Sequence, residues 1–182
     1  SLFPKAHAVA YVMMAFRIAW FKVHRPLAFY AAYFSIRAKA FDEAYMCRGM
    51  DVCQKKMREI VAKDKDASAV EQDMLTTLEV CYEFYLRGFT FRRMDLYQSD
   101  AIHFKMDLEN KALIPPFVSV AGLGETAALS LAEQREGKQF ISIEEVAAAC
   151  PKVSKTHIEL LKEAGAFGDL PETSQLNLFS MF

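Results

Sequence analysis

Two glycines, Gly122 and Gly124, stand immediately before a helical pattern and have the spacing of an anion-binding turn. Glycines let a backbone turn tightly and approach a ligand closely. The helix predicted over residues 125–135 would begin directly after this turn. The unpaired N–H groups of a helix start, together with the helix dipole, bind phosphate without a basic side chain. The alternative is an ordinary turn whose glycines serve packing alone.

A second, degenerate copy of the pattern follows at residues 152–157, with the sequence Lys-Val-Ser-Lys-Thr-His. It opens a predicted helix over residues 158–164, for which Ser154 is a suitable N-cap. The two segments together resemble a tandem helix-hairpin-helix motif, which grips the backbone of duplex DNA without reading its sequence. The residues that this resemblance assigns to DNA binding are Gly122, Gly124, Thr126, Ser154, Lys155 and Thr156.

The segment Gln-Leu-Asn-Leu-Phe at residues 175–179 lies three residues from the end of the sequence. It resembles the bacterial clamp-binding pentapeptide Gln-Leu-Ser/Asp-Leu-Phe, with Asn177 at the Ser/Asp position. In such short-peptide recognition, apolar side chains fill a pocket and a polar one orients the peptide. The alternative is an apolar tail that docks on its own domain. The predicted clamp-binding residues are Gln175, Leu176, Leu178 and Phe179.

A third candidate site begins the sequence, where Lys5, His7 and Tyr11 follow one another on a predicted helix. His7 and Tyr11 are four residues apart and therefore share one helix face. A cation, an imidazole and a phenol along a helix could hold a triphosphate and stack a base. The alternative from the residues alone is that His7 and Tyr11 are half-buried core residues.

Helical patterns dominate the chain and predict a mainly α fold. Residues 5–24 and 26–38 form two predicted helices separated by Pro26, and the first is apolar on both faces, so it is expected in the core. A third helical pattern covers residues 42–61, with a predicted break at Gly49.

The middle of the chain carries clear stop and start signals. Ser68 can cap a helix that runs to about residue 87 and stops at Gly88. Residues 102–108 then alternate between apolar and polar, which is the spacing of a strand. Turn residues follow, and residues 112–114 can return as a second strand, so a small β-hairpin is predicted.

Composition is that of a globular protein, with 53% hydrophobic and 25% charged residues and a net charge of −1. The first sixty residues carry ten lysines and arginines against four acids. This bias predicts either a surface that faces a polyanion or a solvated helix face. The four cysteines form no Cys-x-x-Cys pair, which predicts reduced thiols in a cytoplasmic protein and no zinc site. The apolar stretch at residues 8–20 is too short for a membrane span, and Arg17 interrupts it, so no membrane partner is expected.

These motifs, in this order, resemble the C-terminal region of the Gram-positive PolC-type DNA polymerase III alpha subunit. The resemblance is carried by residues 3–11 and 17–23, by Asp95-Leu96-Tyr97 and Leu113-Ile114-Pro115-Pro116-Phe117, and by the hairpins and the pentapeptide; it is weakest over residues 41–72. It implies a helical fingers segment at residues 1–100, a β-hairpin connector at 101–116, a tandem helix-hairpin-helix domain at 117–171 and a flexible clamp-binding tail at 172–182.

The resemblance also implies that this sequence, which has no initiator Met, is a piece of a longer parent chain, and that other parts of that chain carry the remaining functions. Duplex DNA, the sliding clamp and the rest of the polymerase are the expected partners. Lys5, His7 and Tyr11 would face the incoming nucleotide in the intact enzyme. The palm carboxylates that hold Mg²⁺ would lie outside this chain. No catalytic residue, metal site or cofactor is therefore expected here, and the chain alone should not polymerise DNA.

Three alternatives remain open from the sequence. The chain could be a free-standing helix-hairpin-helix DNA-binding or scaffold protein without a polymerase parent. A DNA glycosylase would use a similar hairpin and sometimes a lysine such as Lys138, but the helix that carries its catalytic aspartate is missing. A purely structural helical domain would use the glycines for packing and would have no affinity for duplex DNA.

Overall fold

In the computed structural model the described residues are 2–174, with side chains from residue 4 onward. This part of the chain is mainly α-helical with one small sheet, as the sequence predicts. Its α-helices are α1 (Leu2–His24), α2 (Pro26–Ile36), α3 (Glu43–Met46), α4 (Met50–Lys63), α5 (Ala69–Leu86), α6 (Glu125–Gln134), α7 (Ile143–Ala149) and α8 (Lys155–Glu163). The strands are β1 (Thr90–Phe91), β2 (Lys105–Asp107) and β3 (Ala112–Ile114).

Helix α1 lies on the surface, and the prediction that it belongs to the core is wrong. Every side chain from residue 4 to residue 21 is exposed, including Phe16, which is 73% exposed. By length and composition alone, α1 is also the one helix among the described residues that could cross a membrane. The apolar pattern correctly identified a helix, but a pattern cannot name the element that covers it, and no element of residues 2–174 does.

The C-terminal end of α1 is held by an ion pair and a hydrogen bond rather than by the apolar surface of the helix. The Lys22 ammonium lies 2.7 Å from the Glu83 carboxylate on α5. Arg87 donates a hydrogen bond to the Lys22 carbonyl at 3.0 Å and another to the Tyr30 hydroxyl at 3.1 Å. These contacts tie the end of α1 to the core at the α2–α5 junction, and the rest of the helix projects from it.

An aromatic core packs α2 against α5 and the sheet. Phe34 is fully buried at its centre and contacts the rings of Phe41, Phe84, Phe91 and Phe104 at centroid distances of 5.3 to 5.7 Å. These rings come from five separate segments of the chain. The core therefore joins the helical first half to the strands and fixes the position of the sheet.

Helix α5 begins and ends where its sequence signals predict. The Ser68 hydroxyl accepts a hydrogen bond from the Glu71 N–H, and the Glu71 carboxylate accepts one from the Ser68 N–H, so the helix start has a complete capping box. Gly88 follows the helix with φ +86°, a backbone conformation that favours glycine. The predicted break at Gly49 is also present, between α3 and α4.

The sheet confirms the predicted hairpin and adds a strand that the sequence did not indicate. Strands β2 and β3 pair antiparallel, and β1 pairs with β3 in parallel. The first predicted strand is shorter than expected because the Asp100 carboxylate accepts the N–H groups of Ile102 and His103, which bends the backbone away from the ladder. The Phe104 N–H donates instead to the Ser35 hydroxyl at 3.0 Å.

A second apolar core holds the hairpin region together. It is formed by buried side chains from helices and loops between residues 94 and 167, among them Phe117, Leu131, Val146 and Leu161. Each of α6, α7 and α8 contributes one apolar face to it, and their polar faces stay on the surface. This core sets the orientation of the two predicted hairpins.

Candidate nucleic-acid interface

The first hairpin is a tight turn anchored by two buried apolar side chains. Val120 and Leu123 are each 4% exposed, and the Leu123 N–H donates to the Val120 carbonyl at 3.1 Å. Between them Gly122 has φ +77°, which is strained for any residue with a side chain. A Cβ at this position would also lie 3.2 Å from the His157 Nε2 atom. Gly122 is thus required by the turn and its packing.

Gly124 serves a different purpose, because neither its backbone nor its neighbours require a glycine. Its φ of −72° is ordinary for any residue, and a Cβ there would have no heavy atom within 4 Å. Gly124 is the N-cap of α6, and no side chain of the described residues caps this helix start. The first hydrogen bond within α6 runs from the Ala128 N–H to the Gly124 carbonyl. The N–H groups of the first turn of α6 therefore have no partner within the helix. The result is open space in front of exposed backbone donors.

The second hairpin repeats the first with a constant offset of thirty residues. The Val153 N–H donates to the Cys150 carbonyl at 2.9 Å, as Leu123 does to Val120, and Val153 is buried. Ser154 occupies the position of Gly124 and caps α8 through a hydrogen bond from the His157 N–H. The prediction of Ser154 as an N-cap is therefore confirmed.

The two hairpins differ in charge at corresponding positions. Lys155 in the second hairpin corresponds to Glu125 in the first, and both are exposed. Lys152, also exposed, corresponds to Gly122. Thr126 and Thr156 correspond to each other and are both exposed. The first hairpin therefore offers bare backbone donors, whereas the second combines a capped helix start with two cations.

His157 joins the two hairpins, a role that its position in the sequence did not indicate. Its Nδ1 atom shares a 2.9 Å hydrogen bond with the Ser154 hydroxyl. Its Nε2 atom faces the backbone of Gly122, where the absence of a side chain makes room for the ring. The only sequence signal was its place three residues after the Ser154 cap, and the contact to Gly122 crosses thirty-five positions of the chain.

The far end of α6 is fastened to the preceding loop, which keeps its start on the surface. The Arg135 guanidinium donates to the Leu96 carbonyl at 2.7 Å and also to the Ser99 carbonyl. It lies over the Phe117 ring at 5.6 Å. The loop itself is closed by the Asp95 carboxylate, which accepts two backbone N–H groups. The hairpin is thus supported from behind by a fixed structure.

The residues predicted to face a nucleotide lie far from the hairpins, in the first half of α1. The His7 and Tyr11 rings are in edge-to-face contact with centroids 4.6 Å apart. Tyr11 is 62% exposed, so the alternative that these residues are half-buried in the core is wrong. Lys5 is exposed as well, but it precedes His7 by two residues and points about 200° away around the helix axis. The structure therefore brings His7 and Tyr11 together and leaves Lys5 on another face.

Comparison with known proteins identifies both the motif and its setting. A family model described as a helix-hairpin-helix motif matches residues 88–176. The protein "DNA polymerase III PolC-type" of Caldanaerobacter subterraneus is 49% identical over 98% of this chain. The proteins of the same name from Streptococcus pneumoniae and Streptococcus pyogenes are 49% and 46% identical over 98% and 100% of this chain. The chain belongs to the PolC-type DNA polymerase III family.

This PolC-type chain spans only a small part of its relatives. In each of the three comparisons it covers 12% of the relative's length. The similarity includes α1 and α2 as well as the hairpins, since it extends over nearly the whole chain. The helix-hairpin-helix unit is thus one part of a family-wide segment rather than an isolated motif.

Two further predictions for the PolC-type chain concern the sliding clamp and Mg²⁺. The clamp-binding residues Gln175, Leu176, Leu178 and Phe179 lie outside the described residues. For Mg²⁺, residues 2–174 contain no group of three or more His, Cys, Asp or Glu side chains that could hold a metal ion. Mg²⁺ stays an expectation for an intact polymerase.

Proposed function

We propose that this chain is the part of a replicative DNA polymerase that holds duplex DNA behind the active site and tethers the enzyme to its sliding clamp. The observation that carries the proposal is the bare start of α6. Gly124 is required neither by the turn nor by packing, and it leaves the outward N–H groups accessible to a close ligand. A phosphate oxygen is the ligand that such a helix start fits best.

The two hairpins would bind the duplex together. Backbone donors of α6 would contact one phosphate, and the Ser154-capped start of α8 with Lys152 and Lys155 would contact another. His157 would keep the two turns at a fixed separation through its contacts to both. Contacts of this kind position the protein on the backbone but carry no sequence information, so binding would be non-specific and compatible with sliding.

The clamp tether is proposed on the sequence of residues 175–179 alone. Leu178 and Phe179 would fill an apolar pocket of the clamp, and Gln175 would orient the peptide. A weak contact close to the duplex-binding unit raises the effective concentration of the clamp without slowing movement along DNA.

The remaining roles belong to the proposed intact enzyme. There His7 and Tyr11, which share one face of α1, would face the incoming nucleotide. Lys5 lies on another face of the helix, so its role at the nucleotide stays a prediction from the resemblance alone. The palm carboxylates elsewhere in the polymerase would hold Mg²⁺. The exposed apolar surface of α1 supports this setting, because it needs further protein to cover it. The chain alone would be inactive as a polymerase. We propose a cytoplasmic protein with no membrane partner, and the exposed charges of Lys5 and Arg17 on α1 favour this.

A free-standing helix-hairpin-helix protein is the second candidate. Such a protein would resemble polymerases in its hairpins alone. The similarity to PolC-type polymerases covers 98% of the chain, including the helices that have no part in the hairpins, and this favours the polymerase setting.

The variant Gly124→Ala tests the duplex grip without disturbing the fold. Its Cβ would occupy the open space in front of α6 and keep a phosphate away from the N–H groups. We expect the affinity for a blunt duplex, measured by fluorescence anisotropy at low salt, to fall roughly tenfold, which corresponds to about 1.4 kcal/mol.

Two controls separate the grip from general effects on folding. Gly137→Ala introduces a side chain at φ +66° beyond the opposite end of α6, so it should lower stability and leave duplex binding unchanged. Glu125→Gln removes a negative charge beside the same helix start and should raise the affinity. Unchanged binding in Gly124→Ala would contradict the proposal, and the hairpins would then be packing elements.

A further inference from the structure

A cavity separate from the helix-hairpin-helix unit lies at the junction of α1 and α2, beside the turn that joins β2 and β3. Its volume of about 320 Å³ falls within the usual size of ligand sites, about 300 to 1,000 Å³. Leu27, Phe89, Met106 and Leu108 give it an apolar floor. Met106 and Leu108 are 48% and 72% exposed, so the floor is open to a ligand.

Basic side chains line the cavity beside this apolar floor. His24, Arg25 and Lys111 line the cavity, and its lining contains no carboxylate. Within residues 2–174, neither Arg25 nor Lys111 has a side-chain hydrogen bond or an ion pair. On the same β-hairpin, Asp107 is engaged by Arg92 and Asn110, and Glu109 is exposed in the turn and is not part of the lining. The cavity therefore combines an apolar surface with two basic side chains, Arg25 and Lys111, that have no partner in the described part of the chain.

The backbone of Lys111 supports a role for its side chain. Its φ of +49° lies in the left-handed region, which favours glycine or asparagine and is strained for lysine. A glycine at this position would close the hairpin turn with less strain. Strained residues persist where the surrounding structure uses them, and here the strain places an ammonium group at the cavity.

Phe89 adds a ring that is held in place from behind. It stacks on Phe84 with centroids 5.5 Å apart, and the Arg87 guanidinium lies 5.9 Å from its centroid. The ring is only partly buried and contributes to the cavity lining. A fixed aromatic ring in an apolar floor with cations around it is the combination by which proteins bind single-stranded nucleic acid.

We propose that this cavity binds a single-stranded stretch of DNA, with one base on the apolar floor and the flanking phosphates on Arg25 and Lys111. The choice of DNA rests on the proposed function, but the site is separate from the duplex grip. A duplex keeps its bases stacked inside and cannot place one on the floor, so the ligand must be single-stranded. In a polymerase, such a stretch exists where the template has not yet been copied.

Anisotropy of a fluorescent ten-nucleotide thymidine strand, measured with the 182-residue chain over a salt series, tests the proposal. The variant carrying Arg25→Gln and Lys111→Gly removes both cations, and the second change relieves backbone strain, so folding should be preserved. Each phosphate contact on a single strand contributes about 0.7 to the slope of log affinity against log salt, so the slope should fall by about 1.4. Lys39→Gln, which removes an exposed cation beyond the other end of α2, should change nothing.

The base contact is tested with a strand of ten abasic nucleotides, which should bind roughly fivefold or more weakly than thymidine. Leu108→Ser should remove most of this difference, because it makes the floor polar. Equal binding of the two strands, or an unchanged slope in the double variant, would overturn the proposal. The proposal would also be overturned if an acidic leucine-rich peptide bound in the cavity of the wild type and the thymidine strand did not bind there. Binding of a blunt duplex should be unaffected by these variants, which separates this result from the test of the hairpins.

Discussion

Helix α1 and the hairpin unit expose opposite kinds of chemistry. Apolar side chains are exposed along α1, among them Val12, Phe16 and Trp20. In the hairpin unit most apolar side chains are packed into a shared core, and the surface around the two turns carries backbone donors, threonines and lysines. One region offers what another protein surface would cover, and the other offers what a phosphate backbone would bind.

The starts of α5 and α6 differ in how their backbone N–H groups are satisfied. At α5 the capping box of Ser68 and Glu71 satisfies the backbone donors within the chain. At α6 the donors behind Gly124 have no side-chain cap among the described residues. A capped start contributes to stability, whereas an uncapped one at the surface leaves donors for a ligand. The two glycines of the first hairpin therefore differ: Gly122 allows the turn, and Gly124 leaves open space in front of the helix start.

Self-association should show the largest difference between the two regions. Light scattering of the wild-type chain should give a mass above the 20.7 kDa of one copy, because the apolar surface of α1 is uncovered. Changing Val12→Glu together with Phe16→Glu places two charges on one face of α1 and should restore the mass of one copy. The matched pair Leu86→Glu and Leu129→Glu adds the same charge at exposed positions outside α1 and should leave the assembly intact. A wild-type chain that is already a monodisperse single copy would contradict this contrast.

Substituting the two glycines of the first hairpin should change the free energy of unfolding by different amounts. Gly122→Ala forces a side chain into the left-handed region and against His157, so the free energy of unfolding should fall by about 1 to 2 kcal/mol. Gly124→Ala meets neither obstacle and loses only the preference of an N-cap for glycine over alanine, so the fall should be smaller, about 0.5 kcal/mol. Urea unfolding followed by circular dichroism measures both. Equal losses in the two variants would show that Gly124 is a packing residue after all.

A smaller effect on stability is expected at low pH, where the capped start of α5 should lose part of its contribution. Contacts with Lys63 and with the Ser68 N–H lower the pKa of Glu71 to about 2 from its ordinary value of 4.5. A carboxyl whose pKa is lowered in the folded state stabilises the fold above about pH 4.5 and loses this contribution as the pH falls toward 2. The melting temperature of the wild type should therefore drop more over this range than that of Glu71→Gln. The difference should shrink in high salt, because the group is exposed. Identical pH profiles would rule out this contribution.

Local signals in the sequence predicted those features that depend on neighbouring residues. Ser68 and Ser154 cap helices as expected, Gly88 and Gly49 end or interrupt them, and the β2–β3 hairpin is present. Each of these is decided within a few positions, by side-chain hydrogen bonds to the nearby backbone or by the conformational freedom of glycine.

The features that were missed depend on contacts between distant positions. Strand β1 has two residues, too few to show alternation, and it forms only because β3 lies beside it. His157 gains its place from the missing side chain of Gly122. The exposure of α1 could not be predicted, because an apolar pattern requires burial without saying which partner provides it.

The most direct test of the duplex grip follows the backbone amides themselves. Nuclear magnetic resonance of the ¹⁵N-labelled chain, titrated with a blunt duplex of random sequence, reports each N–H group separately. Binding by the hairpins predicts that the amides of Glu125, Thr126, Lys155 and Thr156 shift first and together, and that added salt reverses the shifts. Duplex-induced shifts confined to α1 or α4, with the hairpin amides unmoved, would contradict the assignment of DNA binding to the helix-hairpin-helix unit.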